Sequence, residues 1–133
     1  NWSIGVDAEP VGRQIAEAAW DMFASADERS TFAGQHGAAL RAWVTKEAIQ
    51  KALGLGMHLN PRHIVTEGSR FVHHGSVVHV SHTEVDGMLV CVALAPARAP
   101  PSTPEDDVLD ATRTAMEADP QWGVGCKTTR QLA

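Results

Sequence analysis

Asp7, Glu9, Glu47 and Lys51 are the residues of this chain whose types and spacing can do chemistry. Extended chain alternates its side chains, so in Trp2-Ser3-Ile4-Gly5-Val6-Asp7-Ala8-Glu9-Pro10 both carboxylates point the same way, with Ser3 and Gly5. Trp2, Ile4, Val6 and Ala8 share the other face. At about 100° per residue, Glu47 and Lys51 fall between Trp43 and Val44, on the helical face that begins at Leu40. Ala42, Ile49 and Leu53 make a second apolar face nearly opposite, so the helix is expected to be covered on both sides. Charge between two apolar faces is costly unless it is paired or bound to an ion. Taken singly, Asp7 with Glu9 reads as a solvated strand end, and Glu47 with Lys51 as a helix pair worth ~0.2–0.5 kcal/mol. Together, three carboxylates from a strand and a helix form a hard-oxygen site suited to Mg²⁺. A lysine one turn from the third acid can offset charge on a phosphate held by that ion, as phosphoryl-type transfer requires.

The elements that must position these groups follow from pattern. A strand over 2–10 is halted by Pro10, and a helix follows from about Val11 to Phe23, with Ile15, Ala18, Ala19 and Met22 at helical spacing. Ser25 to Gly37 is polar and expected as a short helix or loop, and the long helix runs from Ala38 to Leu53, ended by Gly54 and Gly56. Asn60-Pro61 marks a turn. Three strands are expected at His63 to Phe71, Ser76 to His82 and Gly87 to Ala95, the last continuously apolar and therefore central. The fold class is α+β: an antiparallel sheet packed on the long helix. Ala97 to Pro104 is Pro-rich and reads as a linker, and Glu105 to Ala118 as a helix with acids in its first turn. The expected division is a domain over 1–96 and a linker, helix and tail over 97–133.

Composition limits the partners. The chain has 133 residues, of which 44% are hydrophobic and 20% charged, an ordinary globular balance. A net charge of −5 argues against nucleic acid, whose phosphates need clustered Lys and Arg. No apolar run approaches the ~20 residues of a membrane helix, and no signal-peptide pattern opens the chain. Cys91 and Cys126 are too few for a disulfide framework, and free thiols in a reducing cytoplasm are expected. The chain opens at Asn1, as a processed product or a domain cut from a longer polypeptide does. His36, His58, His63, His73, His74 and His79 are not at metal-ligand spacings, so no structural zinc is expected.

Gly5-Val6-Asp7-Ala8-Glu9, then Trp43-Val44-Thr45-Lys46-Glu47-Ala48 with Lys51, then Ala52-Leu53-Gly54-Leu55-Gly56, resembles the 4′-phosphopantetheinyl transferase superfamily. That family pairs a Gly-Val/Ile-Asp-x-Glu strand with a Trp/Phe-x-x-Lys-Glu-Ala/Ser-x-x-x-Lys helix and a Gly-x-Gly turn, and the resemblance covers roughly 3–95. It implies transfer of the phosphopantetheine arm of coenzyme A to a serine of an apo acyl or peptidyl carrier protein. Carried over by position, Asp7, Glu9 and Glu47 would bind Mg²⁺ on the coenzyme A pyrophosphate. Glu47, directly or through a water on the ion, would deprotonate the serine, and Lys51 would stabilise the pyrophosphate as its bond breaks. Lys46 would face the phosphates or solvent. Ser81-His82 resembles the Ser-His motif with which the short synthases of the family hold nucleotide phosphates.

The resemblance also implies assembly. In the short synthases identical subunits form a trimer and complete each other's sites; in the larger transferases a first half, absent here, supplies basic residues. Trp43, where the shortest synthases tend to have Phe-Ala-Ala, leans toward the larger type. A cytoplasmic transferase completed by self-association, or part of a larger synthase, is therefore expected, and the alternative is a non-catalytic half-enzyme or a module that binds carrier protein or coenzyme A. A metal-dependent nuclease is disfavoured, because Lys46 precedes Glu47 on a helix instead of following a carboxylate on a strand.

Overall fold

Alternation alone does not say which face of a strand is buried, and in the first strand hydrophobicity points the wrong way. The computed structural model of the protein describes residues 1–97. In it Trp2–Pro10 forms strand β1, whose apolar residues Trp2, Ile4 and Val6 are exposed while Ser3, Gly5, Asp7 and Glu9 face inward. The cause is Gly5. A Cβ there would stand 2.0 Å from the Ala48 carbonyl oxygen and 2.3 Å from the Ala52 nitrogen, so only glycine lets this strand lie so close to the long helix.

The chain continues through α1 (Glu17–Phe23), α2 (Ala26–Gly34) and α3 (Ala38–Leu53). Two 3₁₀ turns, Gly56–His58 and Pro61–His63, lead to strands β2 (Arg70–His73), β3 (Ser76–Val85) and β4 (Met88–Pro96). The four strands form one antiparallel sheet in the order β1-β4-β3-β2. The expected α+β class is the observed one, and β4 is central as its unbroken apolar run requires. Leu89, Cys91, Ala93 and Ala95 of β4, with Val78 and Val80 of β3, pack under Leu40, Val44, Ala48 and Ala52 of α3. On its other side α3 meets a second apolar cluster of Phe23, Ala24 and Phe32 with Trp20 and Trp43. The helix is thus covered on two sides.

Two boundaries differ from expectation, and one open expectation is resolved. The helix expected from Val11 begins only at Glu17, because Pro10 and Gly87 accept the amides of Arg13 and Val11 in a turn and the Trp20 indole donates to the Ile15 carbonyl. Of the short helix or loop expected over Ser25 to Gly37, the helix is what forms, begun by a capping box between Ser25 and Glu28. The strand expected from His63 shrinks to Arg70–His73. Asn60 caps a 3₁₀ turn that uses Pro61 as its first residue, and Gly68, at φ 60°, bends the chain before the strand. The hairpins close on His74-Gly75 and Asp86-Gly87, all at positive φ, the two-residue turn that suits twisted strands. Expectations for the Pro-rich stretch after residue 97, the helix from Glu105 and Cys126 lie outside the described residues.

Candidate active site

The Gly5 contact brings the inward face of β1 under the second half of α3. Asp7 and Glu9 of β1 and Glu47 of α3 stand within electrostatic range. Partial burial pushes the Glu47 carboxyl above its ordinary range, the Asp7 charge raises it further, Lys51 opposes, and Glu9 adds to the rise. Lys51 donates from Nζ to Asp7 Oδ1 at 2.7 Å and to the Val6 carbonyl at 3.1 Å, so it ties the helix to the strand. Half of its side-chain surface is exposed, so it is not enclosed between apolar faces as its helical position implied. Glu9 pairs with Arg13 at 2.5 Å. In this arrangement the cations hold two of the acids, and among the described residues no group of three or more His, Cys, Asp or Glu is gathered to hold a metal ion.

The donor set nevertheless fits a hard divalent cation. Asp7 Oδ2 is buried with no hydrogen-bond partner, and an orphaned carboxylate oxygen beside two further acids is a group that a cation would satisfy. Asp7, Glu9 and Glu47 are the residues that would hold such an ion.

Lys46 departs from expectation. It is turned away from solvent: the residue is 2% exposed, and its ammonium donates to the Phe23 carbonyl at 2.7 Å, Glu28 Oε1 at 2.8 Å and the Pro61 carbonyl at 2.9 Å. All three donors are used. Desolvation lowers its pKa, and the hydrogen bond and charge of Glu28 oppose that shift. The same Glu28 oxygen accepts the Ser25 amide of the capping box, so Lys46 fastens α1, α2 and the Pro61 turn to α3. A helical wheel cannot reveal this, since the acceptors come from segments 15 to 23 positions away.

Ser81 and His82 are separated by the pleat. Ser81 pairs in register with Val92 and is exposed, whereas His82 pairs with Cys91 and turns toward α3. There His82 Nε2 lies 2.7 Å from Thr45 Oγ1, and burial, followed by the charge of Arg41, holds its pKa below the ordinary histidine value. His82, Thr45 and Arg41 line an open cleft of about 900 Å³ that Ser81 also borders, within the range of a ligand pocket. Asp7, Glu9, Glu47 and Lys51 are not among the residues lining that cleft.

The two halves are joined through the sheet. Cys91 is the register partner of both Asp7 and His82, so one row of β1-β4-β3 carries the acid end, a buried thiol and the histidine end. Two strand spacings separate the ends, about 10 Å. Burial raises the Cys91 pKa, and it is a free thiol. Thr45 and Arg41 escaped the motif reading; the one signal was a β-branched hydroxyl residue, unfavourable in a helix interior, in the middle of α3.

No curated protein matches the chain significantly in sequence. The family model described as the 4′-phosphopantetheinyl transferase superfamily matches residues 3–78, which hold the Asp-x-Glu strand, α3 and the start of β3. No helix among the described residues is long and apolar enough to cross a membrane. With more than half of its length matched, and with the strand and helix that carry the acids meeting at Gly5, the chain belongs to the 4′-phosphopantetheinyl transferase superfamily.

Proposed function

We propose that the protein transfers the 4′-phosphopantetheine arm of coenzyme A to a serine of an apo acyl or peptidyl carrier protein: the serine oxygen–phosphorus bond forms as the pyrophosphate bridge breaks, and adenosine 3′,5′-bisphosphate leaves. Family membership supports chemistry of this kind in general. The observation that carries the finer reading is the Asp7 carboxylate, with Oδ1 on Lys51 and Oδ2 buried without a partner, next to a Glu47 of raised pKa. When bound, Mg²⁺ supplies charge neutralisation for a pyrophosphate. Asp7, Glu9 and Glu47 would hold it, and the raised pKa of Glu47 brings its basicity nearer to that of a general base for a serine hydroxyl. Lys51, already at the mouth of the site and half exposed, can turn from Asp7 to a phosphate oxygen with little loss. In this reading His82, about 10 Å along the same sheet row, would meet a more distant phosphate group of the same substrate.

Self-association, as a trimer or as part of a larger synthase, belongs to the same proposal. Trp2, Ile4, Val6, Val72 and Leu94 expose an apolar surface on the face of the sheet away from α3, of the kind that another protein surface covers. The same face favours the second reading, a half-enzyme or binding module that needs a partner for turnover. Incubation of the full chain with coenzyme A, Mg²⁺ and a panel of apo carrier proteins, followed by intact-mass measurement, separates the two. Appearance of the arm on a carrier eliminates the non-catalytic module. A carrier that binds the chain yet never gains the arm eliminates the transferase.

A further inference from the structure

Thr45 Oγ1 stands 2.6 Å from the Arg41 carbonyl oxygen and 2.7 Å from His82 Nε2. Both separations are hydrogen-bond lengths, and each needs a proton between its heavy atoms. A carbonyl can only accept, and a threonine hydroxyl has one proton to give. That proton goes to the Arg41 carbonyl, so the contact with Nε2 is completed by a proton from the imidazole. We infer that Thr45 is a positioning residue that fixes His82 as the Nε2–H tautomer and leaves Nδ1, with its lone pair, as the ring atom available to whatever enters the cleft.

The groups facing His82 are consistent with this. From α3 come the hydroxyl of Thr45 and the charge of Arg41, from β4 the Cys91 thiol, and from its own strand Glu84, two residues along the same pleat. His82 Nδ1 has no hydrogen-bond partner among the described residues. Burial and Arg41 favour the neutral ring. Neutral His82 therefore offers the cleft an acceptor, suited to a hydroxyl or ammonium group. A fully ionised phosphate, with no proton to give, meets it only when Nδ1 takes up a proton, so binding of a phosphate dianion beside His82 is coupled to uptake of one proton. That consequence rests on the proposed function, and the tautomer does not.

Long-range ¹H–¹⁵N spectra of the imidazoles in the labelled full chain, at mildly alkaline pH, read the tautomer directly. Wild type is expected to show a protonated, exchange-protected Nε2 and a bare Nδ1. Thr45→Ser keeps that state, because it keeps the hydroxyl. Thr45→Val loses the exchange protection and shifts His82 toward a tautomer mixture. A wild-type Nδ1–H ring, or a wild-type Nε2–H that exchanges as freely as that of the exposed His79, overturns the inference without recourse to any variant. So does a folded Thr45→Val protein whose His82 spectrum is unchanged. With adenosine 3′,5′-bisphosphate bound, Nδ1 is expected to gain a proton; a bare Nδ1 beside bound nucleotide overturns the coupling. Absence of nucleotide binding counts against the proposed function and leaves the tautomer to the first spectra.

Discussion

Glu47 is unfavourably placed in the protein alone. Desolvation and the neighbouring charges of Asp7 and Glu9 raise its pKa above that of the unfolded chain, so its ionised form destabilises the fold. The sign follows from linkage: the penalty is fully present above the folded-state pKa and vanishes as pH falls below the unfolded value of about 4.3. Glu47→Gln should therefore raise the melting temperature at neutral pH without divalent ions, and the gain should shrink to nothing in acid. Added Mg²⁺ should stabilise wild type more than the variant, which thermal scans across pH with and without the ion would measure. Lys46 makes the opposite case. It has three acceptors and almost no exposure, and its removal strips the Phe23 carbonyl of its donor, leaves the Pro61 carbonyl and Glu28 with one backbone amide each, and takes the cation from a partly buried carboxylate. Lys46→Ala should cost about 3–5 kcal/mol in denaturant unfolding. Lys51→Ala, which removes a half-exposed pair, should cost at most about 1 kcal/mol while it abolishes transfer. A comparable stability loss in the two lysine variants would contradict this division of roles.

At the scale of elements, the junction of β1 with α3 decides whether a site exists. Gly5→Ala drives a methyl into backbone atoms that cannot rotate aside, so the cost should exceed the usual ~1–3 kcal/mol of overpacking. Any folded fraction should have lost Mg²⁺-dependent stabilisation, because Asp7 and Glu47 part together. Unfolding curves and the ion's effect on them test both. Much of this layer was legible in sequence: α3 at Ala38–Leu53 and β1 at Trp2–Pro10 fall where periodicity and their Gly and Pro punctuation put them. The acids could be placed because pleat and helical wheel are local geometry. What was not legible depended on tertiary contacts. The burial of the polar side of β1 is set by Gly5 against Ala48, the use of Lys46 by carbonyls distant in sequence, and the Thr45–His82 contact by a separation of 37 residues. The strand expected from His63 failed for a local reason, since Asn60-Pro61 and Gly68 supply turns on both sides of a short apolar run.

At the scale of the molecule, the proposed site is one sheet row with acids at one end and a histidine lining a cleft at the other, under a helix that carries Glu47, Lys51 and Thr45. A substrate with phosphates spread over about 10 Å suits that layout better than a single phosphate would. The exposed apolar face of the same sheet lies on the side away from these groups. If it is a self-association surface, Ile4→Glu should lower the solution mass of the protein while Asp7 and Glu47 keep their positions. Sedimentation at several concentrations would register that change. The proposed function requires Asp7, Glu9 and Glu47 to engage coenzyme A through a divalent cation. Calorimetric titration of coenzyme A into the full chain, with and without Mg²⁺, tests it most directly. The ion should tighten binding at least tenfold (about 1.4 kcal/mol) in wild type and have little effect in Asp7→Asn. Equal affinity with and without Mg²⁺ in wild type would contradict it.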